Sequence, residues 1–580
     1  MARKTTPARQ APKKVPAKKV APKKVPAKKV AAKPAAKKVT STKQEIAASM
    51  NRVQRLRRKP ATTSFADKPI VVNGFNPSPQ QTKVFDWVRN DRGNAFIEAV
   101  AGSGKTTTLI QALKLMPGSV AFTAYNKKIA VEISQKTEKI GKQNLRVGTF
   151  HSFGFNAWRR VHRGVRVDDR NKRDMMLTFC EVPERFHSIV HRLVSLGKQS
   201  CVYRLWDHRD ESAWLDIIEH HDMDADLENP QDVERVIKHA SNCAEWSRNN
   251  CMHVIDFDDM IWLPVITEVS MDQYQWVLVD EAQDTNPARR LLAAKMLAPG
   301  GRAMFVGDRH QAIYGFTGAD NDAVDIIIKD FRCKQLPLTI TYRCPKAVVT
   351  EAKKFVSHII GHESAPQGIV RDISAKEFIE KDMPGLDHND AILCRKTKPL
   401  IELAFNLIRR NIACHVEGRD IGQGLIKLAR RWQIKTIEKL RERLEAYRDR
   451  ELQKLKEKKR EASADALNDR VETLFVLMDG CRTIDEVVIK INEMFQDTDG
   501  NQKKTVTLST VHKSKGREWD RVYILGWREY MPSKWASAEW QKDQEKNLQY
   551  VAVTRSKGEL VFLEAMEAKL EAPDPAAPAK

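Results

Sequence analysis

One glycine-rich segment, AVAGSGKTT at 99–107, combines the residue types that bind phosphate groups. It follows the apolar run NAFIEAV and precedes the helix-like run TTTLIQALKLM, a context in which backbone N–H groups converge on a phosphate. Lys105 would reach the β- and γ-phosphates, and the Thr106 hydroxyl would ligate Mg²⁺. The general pattern has glycine where this chain has Ala99, so a chance glycine-rich turn stays an alternative at this point. The predicted nucleotide-contacting set in this segment is Ala99, Val100, Ala101, Gly102, Ser103, Gly104, Lys105, Thr106 and Thr107.

Two adjacent carboxylates, Asp280 and Glu281, end the apolar run of WVLVDEAQD at 276–284. The carboxyl edge of a parallel sheet is where such runs present ligand-binding groups. Asp280 can contribute to the coordination shell of a Mg²⁺ ion, and Glu281 can orient or deprotonate an attacking water. Acidic pairs after strands are also common as solvated loop starts. The phosphate-binding segment ahead of this pair favours the catalytic interpretation.

Two arginines could stabilise the charge that develops on a transferred phosphoryl group. Arg343 lies in LTITYRCP, and Arg555 lies in YVAVTRS. Each arginine alone is more typical of a surface residue. Their order behind the lysine and the carboxylates is what makes them candidates.

Short apolar runs followed by polar loops and helix-like segments must position these residues, and their rhythm predicts parallel α/β sheets. The runs are NAFIEAV, SVAFTAY, WVLVDEA, RAMFVGD, DAILCRK, TVTLSTV and RVYILG. Two regions, 155–250 and 420–500, break the rhythm with mainly helical patterns. The second predicts a long solvated helix or a helical hairpin, with Leu440, Leu444 and Tyr447 at helical spacing. A surface helix packed on one side is favoured there over a coiled-coil dimer.

The length of 580 residues suits about three to five domains. Hydrophobic residues make up 42% of the chain, and no apolar run approaches the roughly 18 to 20 residues that cross a bilayer. We therefore expect no membrane association. Nine scattered cysteines without CxxC spacing argue against zinc ribbons and disulfide scaffolds. We expect a soluble intracellular protein of the cytoplasm or nucleoid of a bacterium or phage-infected host, or of a eukaryotic nucleus.

The net charge of +24 is concentrated in the first 60 residues, which hold 20 basic residues and one acidic residue, Glu45. Residues 11–20, APKKVPAKKV, recur identically at 21–30. Regular proline, little apolar mass and like charges predict a disordered tail that binds nucleic-acid phosphates without reading sequence. A solubilising tail and a nuclear-import signal are the alternatives.

Nine segments in order resemble the motifs of the UvrD/Rep family of superfamily 1 helicases. The segments are NPSPQQ at 76–81, AVAGSGKT, AYNKKIAVEI at 124–133, GTFHSF at 148–153, VDEAQD, GDRHQAIYGFTGAD at 307–320, LTITYR, STVHKSKGREWD at 509–520 and NLQYVAVTR at 547–555. The match runs through nearly the whole chain after the tail. It implies two RecA-like domains that bind ATP and Mg²⁺ between them.

The resemblance assigns roles to residues that spacing alone does not. Gln81 would read adenine, with Gln80 as the alternative, Gln311 would sense the γ-phosphate, and Glu518 would contact the ribose. Lys105, Glu281, Gln311, Arg343 and Arg555 form the implied catalytic set, with Thr106 and Asp280 on the metal.

The resemblance also implies a DNA track. Tyr314 and Phe316 would stack on unpaired bases, since every base offers a π-face. The remaining implied contacts are Tyr125, Asn126, Thr149, Phe150, His151, His512 and Lys515.

Some positions depart from the usual family pattern. Phe316 and Thr317 replace a tryptophan and an arginine that bacterial members usually carry, so base stacking is expected to be weaker. Asn547 stands where an arginine is common. These variants look closer to the F-box DNA helicase and to phage-borne relatives, and we expect neither an F-box ahead of the motor nor a nuclease domain after it.

Family architecture predicts the division of the chain. We expect a disordered tail at 1–62, a first RecA-like domain at 63–154 and 251–331, and a second at 332–420 and 501–568. Helical insertions are expected at 155–250 and 421–500, the latter short, and a disordered end at 569–580.

The implied function is ATP-dependent DNA unwinding by a motor that moves along single-stranded DNA, 3′ to 5′ by family analogy. Its partners would be single-stranded and partially duplex DNA; protein partners are not predicted. A translocase that strips proteins from DNA needs the same residues and stays an alternative. A non-catalytic nucleic-acid binder is disfavoured by the intact catalytic set.

Overall fold

The computed structural model describes residues 75–566, except for residues 139, 222, 224–226, 228, 314–321, 458–460, 496–504, 535 and 537–538. The described residues form an α/β protein with two six-stranded sheets, which confirms the predicted fold class. The predicted disordered tails at 1–62 and 569–580 lie outside the described residues. Within the described part of the chain, no helix is long and apolar enough to cross a bilayer.

The first sheet comes from the first part of the chain and is entirely parallel, in the order β3-β2-β6-β7-β1-β8. Its central strands are apolar on both faces because helices cover both sides. The short strands β4 and β5 pair separately. The strands are β1 (Ala95–Ala99), β2 (Val120–Thr123), β3 (Leu145–Gly148), β4 (Arg166–Val167), β5 (Val254–Ile255), β6 (Tyr274–Val279), β7 (Leu297–Gly307) and β8 (Lys334–Leu338).

Helices surround this sheet and also form the region between α4 and β5. They are α1 (Pro79–Asn90), α2 (Lys105–Leu113), α3 (Lys127–Glu138), α4 (Phe150–Val161), α5 (Asp169–Phe179), α6 (His187–Gln199), α7 (Glu211–His220), α8 (Pro230–Asn249), α9 (Phe257–Ile266), α10 (Pro287–Lys295) and α11 (Ala323–Asp330). In the region 155–250, Leu193 and Trp214 are fully buried. This helical region thus shares a continuous core with the sheet.

The second sheet is also parallel, in the order β11-β16-β15-β12-β14-β13. A small separate pair joins β9 and β10. The strands are β9 (Ile340–Thr341), β10 (Ile360–Gly361), β11 (Ile369–Ile373), β12 (Asp390–Cys394), β13 (Cys414–Val416), β14 (Val506–Thr510), β15 (Trp519–Leu525) and β16 (Ser556–Leu563).

The helices of this part include the region predicted to be a long helix or a hairpin, and the structure shows a hairpin. Its two arms, α16 and α17, pack together through the fully buried Leu440 and Leu444. The helices are α12 (Lys346–Ala352), α13 (Ala375–Glu377), α14 (Lys398–Arg409), α15 (Arg419–Ala429), α16 (Ile437–Glu457), α17 (Glu461–Met478), α18 (Ile484–Met494), α19 (Trp527–Tyr530) and α20 (Glu539–Val553). The domain boundaries given above stay predictions.

The two sheets meet along a seam at which the loop after β1 contacts helix α20. Val100 and Ala101 share an apolar cluster with Val348, Tyr550 and Val551. The Ala101 N–H also donates to the Tyr550 hydroxyl at 2.9 Å. The seam therefore brings residues 449 positions apart in the chain to the same loop.

Candidate functional site

The phosphate-binding loop connects β1 to α2, and its two glycines adopt left-handed backbone conformations. Gly102 has φ 71° and Gly104 has φ 77°, which glycine tolerates without a steric penalty. A Cβ on Gly102 would lie 2.5 Å from the Cβ of Arg343 and 2.6 Å from the Oγ1 of Thr341. Glycine at 102 therefore serves both the turn and the close approach of the segment that carries Arg343.

The other loop residues are mostly enclosed. Ala99, Val100, Ala101 and Ser103 are buried, Thr106 is half-buried and Thr107 is exposed. The Ser103 hydroxyl has no hydrogen-bond partner among the residues that the structure describes. A buried hydroxyl without a partner is costly, and a phosphate oxygen would accept a hydrogen bond from it.

Lys105 begins α2 and points toward the end of β6. Its Nζ donates to the Oε1 of Glu281 at 3.2 Å. Burial lowers the pKa of Lys105, but the negative charges of Glu281, Asp308 and Asp280 outweigh burial, so its pKa is raised overall. Lys105 is consequently a stable cation at the mouth of the loop.

Asp280 and Glu281 follow β6 and have opposite pKa shifts. Burial, followed by the charge of Glu281, raises the pKa of Asp280 to about 7. Burial also raises the pKa of Glu281, but the charges of Lys105 and Lys515 and a hydrogen bond from Gln283 lower it to about 2. Glu281 is thus an ionised carboxylate that can accept a proton, and a nearby cation would keep Asp280 ionised as well.

The oxygen donors beside the loop fit Mg²⁺. Mg²⁺ is usually bound by one or two protein oxygens together with water and substrate phosphates. Asp280 supplies a buried carboxylate at the strand end, and Thr106 supplies a hydroxyl in the first turn of α2. Among the described residues there is no cluster of three His, Cys, Asp or Glu side chains suited to a metal. The donor set suits a metal that arrives with a nucleotide.

Gln311 lies just beyond β7, the strand between β6 and β1. Its Nε2 donates to the Oδ2 of Asp308 at 2.7 Å, and its side chain is buried. The backbone carbonyl of Gln311 accepts a hydrogen bond from the Nζ of Lys515 at 2.6 Å. The same Nζ donates to the Oδ2 of Asp284 at 2.6 Å. Gln311 therefore sits at a contact between the two sheets.

Arg343 and Arg555 both reach the seam, but they differ in their partners. Arg343 pairs with Glu518 and donates to the Thr554 carbonyl. Arg555 is 1% exposed, and burial, followed by the charge of Arg343, lowers its pKa to about 9. Its hydrogen bonds go to neutral acceptors, namely Val551 O at 2.8 Å, Arg517 O at 3.2 Å and Thr554 Oγ1 at 3.1 Å. A buried guanidinium with neutral partners is suited to receive an anion.

Gln81 lies closer to the phosphate-binding loop than Gln80. The Nε2 of Gln81 donates to the Oγ1 of Thr108 at 3.0 Å, and a Cβ on Gly104 would lie 3.6 Å from that Nε2. The Gln80 side chain is occupied by Thr339: its Nε2 donates to the Thr339 Oγ1, and its Oε1 accepts from the Thr339 N–H, each at 2.8 Å.

Tyr342 was missed by the sequence analysis. Its side chain is 44% exposed, and its Cδ2 would lie 3.9 Å from a Cβ on Gly104. An exposed ring beside the loop and near Gln81 can stack on a nucleobase. Its position directly before Arg343 in LTITYRCP was the signal.

The residues predicted for the first part of the DNA track cluster near the loop after β2 and the start of α4. Tyr125 and Asn126 are exposed, and the Asn126 Oδ1 accepts from the Ile129 N–H. Thr149 caps α4 by accepting from the Ser152 N–H.

Phe150 and His151 differ in what they can offer to a strand. Phe150 is 7% exposed and packs in the core, so contact with DNA would have to pass through its backbone. Burial, followed by the charge of Arg289, lowers the pKa of His151 to about 4. The His151 ring is therefore neutral at physiological pH.

The remaining predicted DNA contacts differ in their surroundings. Tyr314 and Phe316 lie outside the described residues. His512 is neutral, because burial and the charges of Arg395 and Lys513 lower its pKa to about 3. Lys515 is 7% exposed and pairs with Asp284, so this lysine joins the two sheets. DNA binding by these residues stays a prediction.

Asn547, at a position where family members commonly have arginine, connects α20 to the segment after β7. Its Nδ2 donates to the carbonyls of Ala312 at 3.0 Å and of Arg309 at 3.4 Å. Together with the Tyr550 hydroxyl on Ala101, this amide ties α20 to the segments after β7 and β1. These contacts had no local signal in the sequence.

Comparison with protein families matches both parts of the chain. The UvrD/REP helicase N-terminal domain matches residues 79–332, and the UvrD-like helicase C-terminal domain matches residues 420–567.

Curated relatives give the same result at low identity. The ATP-dependent DNA helicase UvrD1 of Mycobacterium tuberculosis is 25% identical over 361 residues, which cover 57% of this chain and 45% of the relative. The probable DNA helicase II homolog of Mycoplasma pneumoniae is 27% identical over 306 residues, with 47% and 41% covered. DNA helicase II of Haemophilus influenzae is 25% identical over 303 residues, with 46% and 38% covered. The chain therefore spans less than half the length of these relatives.

Proposed function

Because the chain belongs to the UvrD/Rep family of superfamily 1 helicases, we propose that it is an ATP-dependent DNA helicase. It would move along single-stranded DNA in the 3′-to-5′ direction that the family resemblance implies, and separate the duplex ahead. The observation that carries this proposal is the meeting of three charged groups at the seam. Lys105 and Glu281 lie at the edge of the first sheet, and Arg343 reaches the same loop from the second part of the chain.

The hydrolytic step follows from the charges at the seam. Lys105 binds the β- and γ-phosphates of ATP, and the ionised Glu281 orients the attacking water and accepts its proton. Arg343 and Arg555 stabilise the negative charge that develops on the transferred group. Asp280 and Thr106 would hold Mg²⁺, which would supply further neutralisation of the phosphates.

The seam also supports coupling between ATP and movement. The ion pair of Lys515 with Asp284 and the hydrogen bond of Ala101 to Tyr550 connect the two sheets directly. Binding and loss of the nucleotide at this seam would close and reopen the sheets against each other. Each cycle then passes the strand along the surface that carries Tyr125, Asn126 and Thr149. Gln81 and Glu518 would hold the adenine and ribose, and Gln311 would report the γ-phosphate.

The DNA partners are single-stranded and partially duplex DNA. The first 60 residues, with one acidic and 20 basic side chains, would add affinity for phosphates that falls steeply with salt. Such a tail would keep the motor near DNA between cycles.

Strand displacement on two partial duplexes tests the proposal. One duplex carries a 3′ single-stranded tail and the other a 5′ tail, and Lys105→Ala serves as the inactive control. We expect ATP-dependent displacement from the 3′-tailed duplex alone, lost in the variant. Displacement from the 5′-tailed duplex alone would refute the direction. Stimulation of ATP hydrolysis by single strands without displacement of either duplex would indicate a translocase and refute unwinding.

A further inference from the structure

Two cysteines of the helical region 155–250, Cys180 and Cys243, meet where the end of α5 packs against α8. Cys180 directly follows α5, and Cys243 lies within α8. Cys180 is half-buried, Cys243 is fully buried, and both thiols are free. A hydrogen bond joins the two side chains. Thiols already in contact can form an S–S bond of about 2 Å without moving their helices far.

One face of α8 holds this contact in place. His239, Cys243 and Trp246 recur at the i, i+4 and i+7 spacing that puts side chains on one face of a helix. The Trp246 ring stacks on the ring of Phe179, with 5.7 Å between centroids and 21° between planes. His239 hydrogen-bonds to the backbone of Cys180. Contacts on both sides of Cys243 therefore hold the end of α5, and with it the Cys180 thiol, against the Cys243 thiol.

The hydrogen bond gives the two thiols different chemistry. It lowers the pKa of Cys180, although burial acts in the opposite direction. The same bond, followed by burial, raises the pKa of Cys243. Because the thiolate is the nucleophilic form of cysteine, Cys180 is the more reactive member, and Cys243 keeps its proton.

A cavity of about 430 Å³ gives access to Cys180 from solvent. Cys180 lines this cavity together with the side-chain amides of Asn242, Asn249 and Asn250. Hydrogen peroxide is little larger than a water molecule, whose share of the liquid is about 30 Å³, so the cavity admits it. Cys243 is 0% exposed. Cys180 is therefore the thiol that a small oxidant meets first.

Two other half-buried cysteines, Cys333 and Cys414, lack this arrangement. Their sulfurs donate to backbone carbonyls, those of Ile327 at 3.8 Å and Ala404 at 3.7 Å. Burial raises the pKa of each of these two thiols to about 12. Partial exposure alone thus does not make a thiol of this protein reactive, and the thiol partner distinguishes Cys180.

We propose that Cys180 and Cys243 form a reversible disulfide when the protein meets hydrogen peroxide. Cys180 is the thiol that reacts with the peroxide, and Cys243 is the thiol that resolves the product. Disulfides of reducing compartments are usually transient and redox-sensing, and this one would link two helices of the region 155–250. The modification site lies apart from the proposed ATP site and does not depend on the motor.

The reaction proceeds in two steps. The Cys180 thiolate attacks one peroxide oxygen and the O–O bond breaks, which leaves Cys180 as a sulfenic acid and releases hydroxide that takes up a proton as water. The Cys243 sulfur then attacks the oxidised sulfur. The S–O bond breaks, and the oxygen leaves as a second water with the Cys243 proton. Two thiols and one peroxide thus give one disulfide and two waters, and a thiol reductant reverses the change.

Peptide mapping of the full chain tests the disulfide directly. The folded protein is treated with hydrogen peroxide, the remaining thiols are blocked with N-ethylmaleimide in denaturant, and the digest is analysed by mass spectrometry without reduction. We expect one linked peptide pair, which contains Cys180 and Cys243 and which dithiothreitol separates. Cys333 and Cys414 should be recovered as blocked thiols.

Substitution of single cysteines tests the role of each thiol. Dimedone, which labels sulfenic acids, is present during the peroxide treatment. In Cys243→Ser the sulfenic acid of Cys180 cannot be resolved, so its labelling should rise at least about fivefold above that in the unmodified chain. Cys180→Ser should leave Cys243 unlabelled. The matched control, Cys333→Ser, should keep the disulfide and the low labelling, and the melting temperature of each variant checks its fold.

Several results would overturn the inference. The absence of a linked pair in the unmodified chain, or linkage of Cys180 to another cysteine, would exclude the disulfide even if the variants fail to fold. Equal labelling of Cys180 in the unmodified chain and in folded Cys243→Ser would exclude the resolving role of Cys243. Labelling of Cys243 in Cys180→Ser would exclude the assigned order of reaction. None of these results bears on the proposed helicase activity, which strand displacement tests separately.

Discussion

Two lysines of this protein, the half-buried Lys105 and the buried Lys198, have the same kind of partners but different surroundings. Lys198 is 1% exposed and contacts two carboxylates, Asp256 at 2.5 Å and Asp259 at 2.8 Å. Its ammonium also lies 5.5 Å from the centre of the Trp262 ring. Lys105 is 13% exposed and makes one ion pair, with Glu281 at 3.2 Å. One ammonium is saturated by the protein, and the other has donor capacity left for a ligand.

The polar groups around Lys105 also have capacity left for a ligand. Beside Lys105, the Ser103 hydroxyl lacks a partner among the described residues, and Arg555 is hydrogen-bonded to neutral groups. Buried polar groups are normally satisfied, so a buried hydroxyl without a partner beside a buried guanidinium without an anionic partner marks a place where something else binds. The same structural feature, a lysine in contact with carboxylates, thus stabilises the fold at one place and prepares a site at the other.

Removing Arg555 should produce the largest change on the side of the unsaturated lysine. We expect Arg555→Ala to lower DNA-stimulated ATP hydrolysis by about a thousandfold or more, since arginines that meet the transferred phosphoryl group are worth that much. Nucleotide binding, measured with a fluorescent ATP analogue, should change far less. Loss of binding in parallel with hydrolysis would show that Arg555 supports the fold of the seam.

Removing Lys198 should instead reduce stability. Lys198→Met leaves Asp256 and Asp259 as buried carboxylates without their cation, and breaking a buried ion pair costs about 3 to 5 kcal/mol. Urea unfolding of the variant and the unmodified protein measures this difference. A change below 1 kcal/mol, about the value of an exposed ion pair, would contradict the structural role given to Lys198.

The sequence predicts the meeting of those site residues that lie at or just beyond the ends of strands. Asp280 and Glu281 directly follow one apolar run, and Lys105 follows another after the short loop AGSG. Because parallel strands place their carboxyl ends at one edge, the meeting of these residues was predictable. The contacts of Ala101 with Tyr550 and of Lys515 with Asp284 join segments more than 200 residues apart. No local pattern reports such contacts. The same reason explains Phe150, whose motif position suggested a DNA contact and whose ring is buried.

A cavity beside the VDEAQD segment was not predictable either. Asp258, Gln199 and Arg289 come from different helices and face each other only after the helical region packs on the sheet. Their sequence surroundings are ordinary helix starts and ends. Only the fold reveals that they share a space.

The pH dependence of stability gives a third test near the saturated lysine. Burial, followed by the charge of Asp256, raises the pKa of Asp258 to about 6, while Lys198 and the Ser195 hydroxyl oppose this shift. A carboxyl with a raised folded pKa gives stability that is fully present below its unfolded pKa and is lost as the pH rises through the folded value. The loss falls between pH 4 and pH 6.

Asp258→Asn should therefore stabilise the protein at pH 8 by about 2 to 3 kcal/mol, since one pKa unit corresponds to roughly 1.4 kcal/mol. The difference from the unmodified protein should shrink as the pH is lowered toward 4. Urea unfolding at a series of pH values measures both curves. A constant difference at all pH values would mean that the carboxyl of Asp258 is not destabilised by its surroundings.

The smallest expected effect concerns Tyr342. Tyr342→Ala should raise the KM for ATP about fivefold to tenfold, because stacking of a base on an aromatic ring is worth about 1 kcal/mol or more. Tyr342→Phe keeps the ring and should keep the KM. Since the side chain is 44% exposed, the melting temperature should hardly move in either variant. An unchanged KM in Tyr342→Ala would mean that the adenine base of ATP does not stack on Tyr342.

Parallel substitution of the two lysines tests the assignment of the ATP site. ATP hydrolysis with single-stranded DNA and the free energy of unfolding are measured for Lys105→Met and Lys198→Met. We expect Lys105→Met to lose hydrolysis and to stay folded, because the charge of Lys515 still acts on Glu281, whereas Lys198→Met should lose more stability. Hydrolysis at the normal rate by a folded Lys105→Met protein would contradict the assignment of the ATP site, and with it the motor.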